Sequence, residues 1–180
     1  DTKGHAGGML RRPFTATPPS TTVPENVLPE LQALEKILEQ GGANLQVRVV
    51  REVRVASGAS FPIYSIGIGN PSPDIPAVGF FGGVHGLERI GAEVVIAYLQ
   101  NIVMRLRWDT TLHQQLEHVR LVFMPIVNPG GMWAATRANP NGVDLMRNAP
   151  VEALDRVPFL MGGQRLSAGL PWYRGHFGEP

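Results

Sequence analysis

The sequence contains no cysteine, and this absence excludes several chemistries at once. Without a thiol the chain has no disulfide, no cysteine zinc site and no thiolate nucleophile. It also lacks any apolar run near the roughly 20 residues of a transmembrane helix, so no membrane partner is predicted. We recognise no signal peptide at the amino end, and a cytoplasmic location is favoured.

The chain also has almost no excess of positive over negative charge. The formal net charge is only +1, and no basic cluster with interleaved aromatic residues occurs, so nucleic acid is not a predicted partner. Hydrophobic residues make up 43% and charged residues 17% of the 180 residues, which indicates a globular chain long enough for one domain with a core.

Periodicity predicts an α/β fold with a mixed β-sheet flanked by helices. Residues 1–24, rich in Gly, Thr, Ser and Pro, are predicted to form a flexible leader, and residues 25–180 the folded domain. The patterns predict helices over 27–40, 88–107 and 109–118, and strands near 45–56, 61–68, 77–84 and 119–127. Strand 45–56 alternates, with Leu45, Val47, Val49, Val53 and Val55 on one face, and is expected to form a hairpin with 61–68.

The central stretch joins a short apolar run to a long helical pattern. The run from Ala77 to Val84 is typical of a strand buried on both faces. Apolar residues then recur at helical spacing, at Ile90, Val94, Ala97, Tyr98, Ile102 and Leu106. From Asn128 onward the strand pattern stops, and Asn128-Pro129-Gly130-Gly131 is predicted to be a turn.

His85 and Glu88 lie between this strand and helix, at the carboxyl end of the strand, where ligands collect in open α/β sheets. An imidazole and a carboxylate three residues apart can reach the same cation, and both suit zinc. The spacing H-x-x-E alone is weak, and the alternative is a polar strand end with a surface ion pair.

A second group of residues follows the last predicted strand. It comprises the Asn128 turn, Arg137, and the segment Gly142-Val143-Asp144-Leu145-Met146-Arg147-Asn148. Taken together and in this order, the two groups resemble the motifs of the zinc carboxypeptidases, the metallocarboxypeptidase A-like family. The resemblance covers roughly residues 45–150. It implies a three-layer, phosphorylase/hydrolase-like fold, a Zn²⁺ cofactor and a peptide substrate.

The resemblance also implies a role for each matching residue. His85 and Glu88 would be two of three protein zinc ligands, and Asp144 would orient a neighbouring arginine or a zinc-bound imidazole. Arg137 would polarise the scissile carbonyl and bind substrate. Arg147, with Asn148 beside it, would hold the terminal carboxylate, because a guanidinium stays charged and pairs with a carboxylate through two hydrogen bonds.

Two departures from the family pattern stand out. Met146 replaces the usual asparagine and cannot donate a hydrogen bond. In addition, nothing after residue 148 matches the third zinc-binding histidine or the general-base glutamate, and His176 is the only later histidine. We therefore expect a truncated catalytic domain that is inactive alone and self-associates through an uncovered sheet.

Two other functions remain open. A zinc-dependent deacylase, similar to the succinylglutamate desuccinylase and aspartoacylase group, would act on small N-acyl amino acids. A non-catalytic binding or assembly module would keep the fold but would not turn over a substrate. Met146 favours an unusual substrate, whereas the long apolar helix and the N-P-x-G turn favour the peptidase.

Overall fold

The computed structural model describes residues 27–149, 155, 157–158 and 161–176, so the predicted leader 1–24 lies outside the described residues. In chain order the elements are α1 (Pro29–Gly41), β1 (Gln46–Arg54), β2 (Ser60–Gly69), β3 (Ala77–Phe81), α2 (Arg89–Arg105), α3 (Thr110–His118), β4 (Arg120–Met124) and α4 (Pro129–Trp133). Short 3-10 turns span Gly42–Asn44 and Leu145–Arg147.

The strands form one mixed sheet in the order β1-β2-β4-β3. The β1–β2 and β2–β4 pairs are antiparallel, and β3 runs parallel to β4. The predicted α/β class, the hairpin and each predicted strand are thereby confirmed. Parallel β3 and β4 bring their carboxyl ends to the same edge of the sheet, and this positions the candidate site.

A bulge in β1 corrects the predicted single valine face. Val49 pairs with Tyr64 whereas Arg51 pairs with Ile63, so Val50 is an extra residue on this strand. One inserted residue turns the following side chains to the opposite face of the sheet. Val53 therefore does not share a face with Val49.

One face of the sheet carries the main core. Ile66 and Phe123 are paired across β2 and β4, and both are fully buried. The Phe80 ring stacks on Phe123 with centroids 5.0 Å apart, and Tyr98 of α2 meets Phe80 edge-on at 5.0 Å. On the same face, the Tyr64 hydroxyl donates to Glu35 of α1 at 3.1 Å. Helices α1 and α2 thus cover the face that Ile66 and Phe123 share.

The opposite face is covered at one end by α4. The Trp133 ring of α4 lies 5.3 Å from the Phe61 ring, and Phe61 points away from the face of Ile66 because the two residues are an odd number apart. Helices therefore contact both faces of the sheet.

The prediction that residues 77–84 are buried on both faces is wrong. Strand β3 ends at Phe81 and pairs within the described residues with β4 alone, so its other edge is open. Val78 is exposed, and Phe81 is 59% exposed. An apolar run predicts burial, but burial on both faces also requires a packed layer over each face, and the exposed side chains of β3 show that the described residues do not supply both.

The predicted stripe of α2 is packed only at its end, where Ile102 and Leu106 are buried. Ile90 is 69% exposed, and Val94 and Tyr98 are also exposed. The buried stripe of the helix contains Ala92, Ile96, Leu99, Ile102 and Val103. We call the exposed set formed by Val78, Ile90, Val94 and Tyr98 the β3–α2 surface. None of the described helices is long and apolar enough to span a bilayer.

Helix α3 begins at a side-chain cap, Asp109. The Asp109 carboxylate accepts from the Leu112 N–H at 3.0 Å and from Arg105 Nε and Nη2 at 3.0 and 2.7 Å. These interactions, the Leu112 hydrogen bond first and then the Arg105 guanidinium, lower the pKa of Asp109 below its ordinary value.

We expect Asp109→Asn to lower the free energy of unfolding at pH 7, because asparagine keeps the cap but loses the ion pair. A carboxylate whose folded pKa lies below its unfolded value of about 3.9 stabilises the fold above that pH, and the contribution is lost as pH falls through the folded pKa. Urea unfolding at several pH values should show the parent and variant converging in acid. Glu93→Gln, at an exposed position on α2, is the control; a pH-independent difference for Asp109→Asn would contradict the assignment.

Candidate metal and substrate site

The loops that follow β3 and β4 remain hydrogen-bonded to each other. The Gly82 N–H donates to the Met124 carbonyl, and the Val127 N–H donates to the Gly82 carbonyl, both at 3.0 Å. The Asn128 N–H donates to Gly83 at 2.9 Å. These bonds hold the two loops side by side beyond the strands, so the segments around His85 and Asn128 lie together.

Asn128 begins a short helix, which corrects the predicted turn. Its carboxamide oxygen accepts from the Gly131 N–H at 2.8 Å and caps α4, while its amide nitrogen donates to the Val84 carbonyl at 3.2 Å. The two loops approach so closely at Gly86 that a Cβ there would lie 1.9 Å from the Gly131 carbonyl carbon. Only glycine fits at this contact.

His85 and Glu88 face each other in the loop after β3. His85 is buried, its Nδ1 lies 3.0 Å from Glu88 Oε1, and the Glu88 side chain is 61% exposed. Two such ligands at roughly 2.0–2.2 Å from a tetrahedral zinc ion would lie about 3.4 Å apart. The donor atoms and their separation therefore fit two positions of a zinc site after a shift of a few tenths of an ångström.

Asp144 lies behind His85 and is bound by two arginines. Its side chain is 3% exposed, and its Oδ2 accepts from Arg137 Nε at 2.9 Å and from Arg147 Nη1 at 2.7 Å. Its Oδ1 lies 3.4 Å from His85 Nε2, longer than a normal hydrogen bond. Burial acts to raise the pKa of Asp144, but the Arg137 hydrogen bond and both guanidinium charges outweigh it, and the pKa is lowered.

Arg137 connects this buried carboxylate to the exposed one. Besides its bond to Asp144, its Nη1 lies 3.4 Å from Glu88 Oε1. Since Glu88 also faces His85, the Arg137 guanidinium lies beside the donor pair that fits zinc. A group bound between His85 and Glu88 would therefore have a fixed cation next to it.

Arg147 is held from several sides. Its Nε donates to the Met161 carbonyl at 3.1 Å, and its guanidinium carbon lies 5.2 Å from the centre of the Trp172 ring. Met146 points outward and is 62% exposed. The N–H of half-buried Asn148 donates to the Leu145 carbonyl at 3.2 Å and closes the 3-10 turn.

The structure thus brings the predicted site residues together, with Asn148 next to Arg147 in the chain. In the described part, no group of three or more His, Asp or Glu side chains is arranged to hold a metal ion. His176 is exposed and packs edge-on against Tyr173 with ring centres 5.9 Å apart. The sequence analysis did not single out Trp172, whose ring lies against Arg147 and whose neighbour Tyr173 is buried.

A family model for zinc carboxypeptidases matches residues 46–161. This chain belongs to the zinc carboxypeptidase family. The match spans both motifs and all the site residues described above, from His85 to Asn148, so the resemblance seen in the sequence is confirmed at the level of the family.

Curated relatives support this membership. Carboxypeptidase SOL1 of Arabidopsis thaliana is 34% identical over 93 residues, which cover 50% of this chain and 19% of the plant protein. Carboxypeptidase E of Caenorhabditis elegans is 30% identical over 95 residues, covering 46% of this chain and 20% of that protein. The aligned part of the chain therefore spans about a fifth of either relative.

Solved structures show the same fold. Bovine thrombin-activatable fibrinolysis inhibitor, in complex with tick carboxypeptidase inhibitor, aligns with a TM-score of 0.59 and 17% identity over 82% of this chain and 49% of that one. A metallo-carboxypeptidase from Burkholderia cenocepacia aligns with a TM-score of 0.52 and 18% identity, over 65% and 31% of the two chains. The described elements thus correspond to part of the carboxypeptidase fold.

We expect Asp144→Asn to destabilise the fold by about 1–3 kcal/mol, because the buried carboxylate accepts charge-assisted hydrogen bonds from Arg137 and Arg147 that a carboxamide makes more weakly. Glu88→Gln is the matched control: it makes the same carboxylate-to-amide change in the same cluster, at an exposed position, and should cost less than about 0.5 kcal/mol. Denaturant unfolding at pH 7 measures both. Equal costs for the two variants would show that Asp144 does not hold the arginines.

Proposed function

We propose that the protein containing this chain is a zinc carboxypeptidase that hydrolyses the peptide bond next to a C-terminal carboxylate. The observation that carries the proposal is the convergence of His85, Arg137 and Arg147 on the Asp144 carboxylate, with Glu88 beside them. The proposal concerns a protein that also carries the third zinc ligand and the general base that the family resemblance implies. The chain alone is expected to be inactive.

His85 and Glu88 would hold the metal, through Nδ1 and a carboxylate oxygen. Zinc, when bound, supplies a Lewis acid and a water molecule of lowered pKa. Asp144, ionised at neutral pH, faces the far side of the His85 ring and favours a proton on Nε2, which leaves the Nδ1 lone pair available to a ligand.

The two arginines are proposed to act on the substrate. Arg137 lies next to the metal ligands, so its guanidinium donates to the carbonyl oxygen of the scissile bond as negative charge develops there. Arg147 is proposed to bind the terminal carboxylate, with Asn148 lining the same site. Neither group has to move far, because Asp144 holds both arginines at the site.

Met146 supports one alternative. A side chain without a donor stands where the family has an amide, and it points outward. This favours an unusual substrate, and a substrate panel with peptides and N-acyl amino acids separates a peptidase from a deacylase of N-acyl amino acids. A non-catalytic module would bind no stoichiometric zinc even in the longer protein.

Self-association and a cytoplasmic location stay predictions. Self-association is proposed to occur at the β3–α2 surface, where the open edge of β3 adjoins exposed apolar side chains of α2. Strand β3 contains no charged residue and no proline, whereas β1, at the other edge, carries arginines and a bulge. Charges and bulges protect sheet edges from pairing, so β3 is the less protected edge.

We expect His85→Ala to abolish stoichiometric zinc binding in the longer protein, because it removes one of only a few protein ligands. Elemental analysis after dialysis measures the metal directly and does not depend on activity. His118→Ala, on the exposed side of α3, is the control and should leave the zinc content unchanged. Full zinc occupancy in His85→Ala would exclude His85 as a ligand.

We expect Arg147→Ala to reduce the preference for a free carboxylate over the same substrate amidated. The lost charge-assisted hydrogen bond is worth roughly 1.5–3 kcal/mol, or about tenfold per 1.4 kcal/mol. Met146→Asn should raise the preference if its amide can reach the substrate. The ratio of kcat/KM for the free acid to kcat/KM for the amide measures both effects. An unchanged ratio in Arg147→Ala would show that Arg147 does not bind the carboxylate of the substrate.

A further inference from the structure

The segment 161–176 is a loop organised around one buried side chain, Gln164. The Gln164 Oε1 accepts from the Leu166 N–H at 2.6 Å and the Ser167 N–H at 3.0 Å. Its Nε2 donates to the Ser167 carbonyl at 2.7 Å and to Leu170 at 3.2 Å. An amide that satisfies its donors and acceptors on the backbone of its own loop fixes the shape of that loop.

The two ends of this loop are joined by backbone bonds. The Gln164 N–H donates to the Trp172 carbonyl at 2.9 Å, and the Arg174 N–H donates to the Gln164 carbonyl at 2.8 Å. The loop is also tied to the site, because the Asp144 N–H donates to the Tyr173 carbonyl at 2.8 Å. Trp172 is therefore placed by bonds on both sides of it.

This loop contacts Arg147 at three points. Met161 accepts from Arg147 Nε, the Trp172 ring lies under the guanidinium, and Arg174 Nε donates to the Arg147 carbonyl at 2.9 Å. With Nη1 bound to Asp144, Nη2 is the guanidinium nitrogen left without a partner among the described residues. The side chain is still 23% exposed.

The backbone around Trp172 has an uncommon geometry. Trp172 has φ +60°, in the left-handed region that a bulky residue rarely adopts. Across from it, Gly163 has φ +86°, and a Cβ there would meet Arg174 Cγ at 2.6 Å and Arg147 Cδ at 3.0 Å. Such strain persists where surrounding contacts over-determine it, and it clusters at functional sites.

We infer that Trp172 is a positioning residue that holds the Arg147 guanidinium, with its Nη2 edge open, for the carboxylate of the substrate. The inference rests on the proposed function. It also accounts for Met146: because the adjacent residue donates no hydrogen bond, Arg147 must bind the carboxylate without that help, and a guanidinium fixed in advance loses less freedom on binding.

The test uses the full 180-residue chain, Trp172→Ala and Trp172→Phe. The first readout is hydrogen exchange of the Arg147 Nε–H by NMR in the ligand-free protein, assigned from its loss in Arg147→Ala. The second is the dissociation constant of N-acetyl-L-phenylalanine, compared with its amide. Trp108→Ala, at a tryptophan that is 71% exposed, is the matched control.

We expect Trp172→Ala to speed exchange of the Arg147 Nε–H and to weaken binding of the free acid about two- to five-fold, the range of an exposed cation–π contact, with little change for the amide. Trp172→Phe retains a ring and should fall between the parent and Trp172→Ala. Trp108→Ala should match the parent in both readouts.

The two proposals fail in different ways. If the parent binds acid and amide equally, the carboxylate role of Arg147 is wrong, and so is the substrate part of this inference. If the parent prefers the acid and Arg147→Ala loses that preference, but Trp172→Ala keeps both the preference and slow exchange, Trp172 does not position Arg147. In that case the proposed function stands and the inference is overturned.

Discussion

The interaction on which the candidate site depends is the buried carboxylate of Asp144. One oxygen binds Arg137 and Arg147, and the other faces His85. A carboxylate this buried stays ionised only with its partners in place, and its charge offsets the repulsion between the two guanidinium groups. The position of each charged group is therefore conditional on the others, which makes the site a cluster with a defined geometry instead of a set of separate surface charges.

The cluster in turn depends on how closely two backbone segments approach. Gly86 and Gly131 are in contact, and Asn128 bonds to both of the loops they belong to. A larger residue at Gly86 would push the segment with Asn128 away from the segment with His85. The glycines of the H-x-x-E stretch thus shape the site by allowing the loops after β3 and β4 to approach closely and to stay hydrogen-bonded beyond the strands.

The elements and the site residues could be predicted from the sequence because both are encoded locally. Alternation identified β1, the turn after it indicated the hairpin with β2, and helical spacing identified α2. The matched motifs identified His85 and Glu88 together with the later arginines. The predictions that failed concern packing between residues far apart in the chain. Helix α2 carries apolar residues on most of its surface, so periodicity indicated a helix but could not tell the stripe of Ile90 from the stripe of Ala92.

The bulge at Val50 and the exposure of β3 have the same cause. A strand's register is set by its partner, and its burial by the layers on either side, and neither is written in the strand itself. The adjacent valines Val49 and Val50 interrupt the alternation, but only the pairing of Val49 with Tyr64 and of Arg51 with Ile63 shows that Val50 is the extra residue. Likewise the apolar run of β3 is typical of a central strand, but among the described residues β3 has one neighbour.

The surroundings of Arg147 likewise depend on residues far from it in the chain. Read along the chain, Arg147 has Met146 on one side, and the missing amide looks like a loss of substrate contact. In space, the side chain of Met146 points outward, and the partners of Arg147 are Asp144, Met161, Trp172 and Arg174. All but Asp144 come from a loop more than ten residues later. The orientation of this arginine therefore does not depend on residue 146, and under the proposed function a change there can alter what the site recognises while the guanidinium stays in place.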